Sequence, residues 1–262
     1  MSTSTGADHG SASRSAGGSA GAARVTVELV GGRARLVELV GSVHLRPRPV
    51  LVDGPLARVA LVGTFALLLA GDDVRVELRV GAGVVLELIE PSGVVAYDVR
   101  GGDGASWAVH ATVAEGGALV WKGAPFVVTA GADVERGTAV ELAAGARAII
   151  SETLVLGRAD EPGGGPLRSR FRARLDGRPL LVEDLDLRDR WLASSPGVVG
   201  AHRVVASVLL LGVRPDAADG EGETLLAGPG ALGRVLARHA HEADAVVDAT
   251  WARWRPLVGR PT

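Results

Sequence analysis

The sequence predicts an all-β protein, β-helix-like, built of stacked hairpins and sheets with a C-terminal helix and few others. Three observations carry that expectation. Apolar and polar residues alternate with a period of two, as in Val74, Val76, Leu78 and Val80 against Arg75, Glu77 and Arg79; side chains of a strand point to opposite faces in that rhythm. Strand–glycine–strand units recur from Val25, Val74, Trp107, Thr138 and Phe171. The turn glycines Gly81, Gly116, Gly145 and Gly177 fall about every 30 residues, the spacing of stacked repeat units. Aromatics make up only 3% of the chain, so the core is built of Val, Leu and Ala.

Taken in order, Met1–Ala23 is a Ser/Gly/Ala tail with scarcely any large apolar residue. It buries too little surface to offset ordering entropy and is expected to be disordered, with a single β domain over residues 24–262. The Val25 hairpin comes first. Pro47 and Pro49 then exclude regular central-strand pairing. Val59–Leu69 is apolar on both parities, which fits a strand buried on both faces or a short buried helix. Pro91–Gly104 is a Gly-rich connection carrying the single tyrosine, Tyr97. Thr138–Arg158 reads as two strands joined at Gly145, and Glu161–Pro166 as a flexible loop.

The hairpin from Phe171 places Arg168, Arg170, Arg172 and Arg174 on one face, opposite an acidic return strand. Self-pairing of those arginines is the expectation, rather than a nucleic-acid stripe. Ala201–Val213 is a further apolar strand. The chain closes with a helix presenting Val247, Trp251 and Trp254 on one face, ended by Pro256.

Several classes of function are excluded by composition. The net charge of −2 and sequence pI near 6.3 supply no basic field for nucleic acid or an anionic membrane. Cysteine is absent, removing thiol chemistry, disulfides and thiolate ligands. The N-terminal segment lacks the apolar stretch of a secretory signal, and the apolar runs are shorter than the ~20 residues of a membrane span. A cytoplasmic protein is expected. A mean hydropathy of +0.25 implies faces covered by partners.

Few residues carry chemistry. Gly228–Gly233 matches GxGxxG but has a proline in the turn and no preceding strand–helix unit. His239, His241 and Glu242 are weak metal candidates: in a strand the two imidazoles share a face, in a helix they diverge, and solvated residues at a helix start are the plainer reading. Glu152 has the parity of Ile150 and Leu154, which puts a carboxylate on the apolar side of its strand. It is either paired with an arginine (Arg147, Arg158 and the Arg170 row being candidates) or it faces a wet internal passage.

The order of AGDD (Ala70–Asp73), VGAGVVLE (Val80–Glu87), Tyr97, GGALVW (Gly116–Trp121), Gly131, LAAGARAIISETLVLGR (Leu142–Arg158), RPLLVEDLDL (Arg178–Leu187) and a terminal W-x-x-W-R-P helix resembles the urease accessory protein D family, called H in some organisms. The resemblance runs from about Val25 to the C-terminus. It implies a strand-rich, β-helix-like, non-enzymatic maturation factor that binds urease apoprotein and joins accessory proteins F and G. It also implies passage of nickel through an internal tunnel, transiently and with no tightly bound cofactor. Glu152 matches the family's acidic position before Leu-Gly-Arg. Gly71, Asp72, Tyr97, Trp121, Gly131, Gly157 and Arg158 match family positions of structural weight. The family's strand over the segment matching Gly233–Ala240 favours a strand there. An all-β protein-binding module without a metal role is the alternative.

Overall fold

The computed structural model describes residues 21–259. The expected N-terminal tail lies outside the described residues except for 21–23, and Ala23 already opens the first strand, where it is fully buried. The chain runs β1 (Ala23–Val30), β2 (Arg33–Val40), β3 (Leu45–Asp53), β4 (Leu56–Gly63), β5 (Asp73–Val80), β6 (Val85–Ile89), β7 (Val94–Ala96), β8 (Ala105–Val113), β9 (Ala118–Lys122), β10 (Phe126–Val128), β11 (Val134–Leu142), β12 (Arg147–Leu156), β13 (Leu167–Leu175) and β14 (Arg178–Asp186). After a short helix α1 (Arg190–Ala193) come β15 (Val204–Leu211), β16 (Glu223–Leu225), β17 (Gly230–Ala237) and helix α2 (Ala240–Trp254).

Two sheets face each other. One has the order β14-β13-β11-β8-β5-β1-β2, the other β16-β17-β15-β12-β9-β6-β4-β3. From β1 to β13 the first sheet is parallel, as is the second from β4 to β12. Each coil of the chain thus gives one strand to each sheet. Short third strands, β7 and β10, stack in parallel beside the second half of β12.

The units from Val74, Trp107 and Thr138 are therefore not hairpins. Their two strands lie in opposite sheets and pair with neighbouring coils. Alternation tells which side chains face inward, and that pattern is the same whether the chain folds back beside itself or arches over to the facing sheet. The Val25 and Phe171 units are antiparallel hairpins. Gly116 and Gly145 turn the corners at φ 66° and 71°. In the first coil that role falls to Gly83, at φ 65°, rather than Gly81. A Cβ on Gly145 would meet Gly116 N, and one on Gly116 would meet Gly83 N, each at 3.9 Å, so the corners stack glycine on glycine.

The inward faces of both sheets form the main core, with Val76, Leu78, Val109, Leu88, Leu119 and Ile150 among its buried members. A second core lies on the other side of the second sheet, where α2 packs on β15 and β17. Every residue of β15 is buried. Val247 and Trp254 are buried in that layer, joined by Ala243 and Thr250, while Trp251 is only partly covered. Pro256 does not stop the chain's winding; it enters a 3-10 turn, Arg255–Val258. Pro47 and Pro49 sit on β3, an edge strand with a bulge after Pro49. The Val59–Leu69 run is a strand only to Gly63. Its remainder is a loop pinned by buried Leu67 and Leu68 with Phe65 and Leu69 exposed, because a loop closing the core needs apolar anchors of its own.

Candidate functional site

Along β11, Val134, Arg136, Thr138, Val140 and Leu142 are all buried and share one parity, so all five face the space between the sheets. Arg136 occupies a ladder position between Trp107 and Ser169. Opposite, β12 changes partner: it pairs with β9 up to Ser151 and with β10 from Leu154. Glu152 falls in that interval. Arg136 Nη2 donates to Glu152 Oε1 at 2.5 Å, and Thr138 Oγ1 donates to the same oxygen at 3.2 Å.

None of the expected arginines is the partner. Arg147 reaches the Leu257 carbonyl, Arg170 pairs with Glu135, and Arg158 lies over Tyr97. The pair forms across the gap between sheets, which a hairpin reading of Thr138–Arg158 does not allow. The parity of Arg136 with Val134 and Val140 was the available signal. Its guanidinium also donates to Ser169 Oγ at 3.3 Å and lies 5.6 Å from the Phe126 ring centroid, leaving Nε buried without a partner.

A second carboxylate stands nearby. Glu90 accepts Trp121 Nε1 at 3.1 Å and Ala124 N at 2.9 Å. Burial pushes its carboxyl above the ordinary value, with the Glu152 charge adding to that; the Ala124 amide, Arg136 and Trp121 pull the other way. Glu90, Arg136, Glu152, Trp107, Trp121 and Phe126 surround a cavity of about 20 Å³, room for one water. Glu90 and Trp107 also line an outer pocket of about 300 Å³ with Phe65 and Tyr97. A polar line thus runs inward from that pocket through an apolar interior. The Arg136 guanidinium covers the Glu152 carboxylate, so a cation there competes with a fixed positive charge.

Of the family-matched positions, Trp121 belongs to this chamber. Tyr97, Gly131 and Arg158 instead meet at one end of the coils, around a pocket of about 570 Å³ that also holds Thr129 and Glu161. The Arg158 guanidinium lies 5.5 Å from the Tyr97 centroid. Glu161 Oε2 accepts Arg158 N at 2.7 Å and Ala130 N at 3.1 Å, so the Glu161–Pro166 loop, expected to be flexible, is tethered at its start. Gly131 is required by contact: a Cβ would lie 2.3 Å from the Asp98 carboxyl carbon. Gly157 sits at φ 88°, with a Cβ position 2.6 Å from Gly163 O. Gly71, at φ 76°, and Asp72 shape the neighbouring loop, where Asp72 accepts Leu69 N at 2.9 Å and lies 3.3 Å from His44 Nε2.

The remaining candidates lie at the start of α2. The strand expected over Gly233–Ala240 ends at Ala237, and His239 is the N-cap of α2. Glu242 accepts the amides of Arg238 and His239, each at 3.1 Å; the His239 and Arg238 amides hold its carboxyl below the ordinary value. His241 stacks on His239 with centroids 5.6 Å apart. A carboxylate committed to capping is what turned the chain into a helix here. Among the described residues no group of three or more His, Asp or Glu side chains is placed to hold a metal. The GxGxxG match lies on β17 and its approach. Three of the row's four arginines are paired within the protein: Arg168 with Asp184 at 2.8 Å on the return strand, but Arg170 with Glu135 at 2.8 Å and Arg174 with Glu141 at 3.9 Å on β11 instead.

Fold and site together define a capped two-sheet β-solenoid with a buried ion pair between its sheets. Residues 19–262 match the model of the UreD urease accessory protein family. The chain is 50% identical over 86% of its length to urease accessory protein UreD 1 of Streptomyces griseus subsp. griseus, covering 87% of that protein. It is 34% identical over 75% of its length to UreD 2 of Saccharopolyspora erythraea, covering 74% of it. With UreD of Streptomyces coelicolor the identity is 32% over 90% of this chain and 97% of the relative. The chain belongs to the UreD urease accessory protein family.

Proposed function

We propose that this chain is a non-enzymatic urease maturation factor, which binds urease apoprotein with accessory proteins F and G and helps deliver nickel to the urease active site. The observation that carries this reading is the family match across nearly the whole chain. It acts in the cytoplasm as an assembly scaffold, with nickel as transient cargo. Exposed apolar side chains, Trp191 at 83% and Val182 at 63%, support a role that includes protein partners. No helix of the described residues is long and apolar enough to cross a membrane.

Co-expression of urease and the other accessory proteins with and without this chain tests the proposal. Purified urease should carry markedly less nickel when the chain is omitted; equal nickel in both preparations rejects it. The line from Glu90 to Glu152 supports a nickel role. Arg136 over Glu152 favours the second reading, a protein-binding module without a metal role. Glu152→Ala separates them: reduced urease nickel with intact complex assembly supports passage, and unchanged nickel supports the binding module.

A further inference from the structure

We infer that the pocket formed by Tyr97, Arg100, Thr129, Arg158, Asp98 and Glu161 is a binding site for a phosphate group, either the free ion or a small monoester. At about 570 Å³ it has the size of a small-molecule site. Two guanidiniums line it. Neither Arg100 nor Arg158 has an ion-pair partner among the described residues; the Arg158 head rests on the face of Tyr97 at 5.5 Å, which orients it and leaves its N–H edge unused.

The loops that carry these arginines are braced from below. Asp98 Oδ1 accepts Arg100 N at 2.7 Å, holding Arg100 at φ 50°, and Glu161 Oε2 accepts Arg158 N and Ala130 N. The carboxylates in the pocket are thus tied to backbone amides while both cations remain unpaired. A third polar group points to a ligand: Thr129 is 2% exposed and its Oγ1 has no hydrogen-bond partner. Oγ1 itself is closed to solvent, so a rotation of the side chain toward the pocket it lines brings it to an acceptor oxygen of the ligand and relieves the cost of burying a hydroxyl unpaired. Arginine forks match phosphate oxygens bidentately. Asp98 and Glu161 accept only, so they favour an anion that also carries a hydroxyl. Hydrogen phosphate and the monoanion of a monoester each have one, and sulfate has none.

Calorimetric titration of the full chain with inorganic phosphate, at constant ionic strength, tests this. Saturable binding is expected, with sulfate several-fold weaker. Arg158→Ala should weaken phosphate about tenfold or more, given the strength of charge-assisted hydrogen bonds. Thr129→Val keeps the shape of the side chain and should weaken binding several-fold, which guards against a misfolded arginine variant. Arg172→Ala, on the outer face of β13, should bind as the parent does. Methyl phosphate in place of phosphate distinguishes an ester from the free ion, and binding of either sustains the site. No saturable phosphate binding, equal affinity for sulfate, or parental affinity in both Arg158→Ala and Thr129→Val would overturn it.

Discussion

Two arginine–carboxylate pairs reach out from the adjacent strands β11 and β13, one into the space between the sheets and one away from it. Arg136 and Glu152 have side chains 6% and 14% exposed, whereas Arg168 and Asp184 are at 30% and 39%. The outer pair has good bidentate geometry, 2.9 and 2.8 Å, and Arg168 holds the Asp184 carboxyl below its ordinary value. Water and salt screen it all the same, so geometry there reports little about stability. The inner pair pays a desolvation cost on both ions, and its value shows only when one partner is removed. Chemistry alone does not rank the two; surroundings do.

The largest test of that contrast is Arg136→Ala, which strands a buried carboxylate and should cost ~3–5 kcal/mol in denaturant unfolding. Replacing both partners, as Arg136→Met with Glu152→Leu, should recover most of that loss, because two apolar groups leave no orphan charge. A double variant as unstable as the single one would mean the pair is needed for packing rather than for neutralising itself. Glu152→Gln keeps the shape and one acceptor while leaving the Arg136 charge uncompensated, and an effect between those two is expected in the same unfolding measurement.

A smaller effect concerns pH. Burial, the leading cause, raises the Glu90 carboxyl above its ordinary 4.5. The folded chain therefore keeps this proton over a window in which the unfolded chain has lost it. Stability from this group is full below about pH 4.5 and declines as pH rises through the raised value. Melting curves of Glu90→Gln and the parent should diverge in the variant's favour across that window, then run parallel above it. A pH-independent difference would show that Glu90 is charged throughout. The smallest effect is Arg168→Ala, expected to leave the melting temperature unchanged at physiological salt; a clear drop would erase the distinction between the two pairs.

Much of this architecture was legible from alternation. The parity of Val74–Val80 names the inward face, and Pro47 and Pro49 name an edge. What alternation lacks is the partner of each strand, since arch and hairpin bury the same residues. That one ambiguity hid Arg136 from Glu152, because the pair crosses from one sheet to the other. At the histidines the plainer reading, a helix start, agrees with the fold; the strand expected to Ala240 stops at Ala237, where Glu242 three residues after His239 is a capping signal that the family's strand preference outweighed. Tyr97, Gly131 and Arg158 were visible singly, 61 residues apart at the extremes, and only the stacking of coils gathers them.

Both ends of the solenoid finish in antiparallel strands: β2 and β14 on one sheet, β3 and β16 on the other. β3 carries two prolines and a bulge, and β14 carries Pro179 with Glu183, Asp184 and Asp186. A parallel coil left bare would offer its row of amides to the next molecule, and copies would add end to end like subunits of a fibre. Here each terminus presents a reversed, charged or proline-interrupted rim. Such rims oppose strand addition by a further copy, so the number of coils is set within the chain itself.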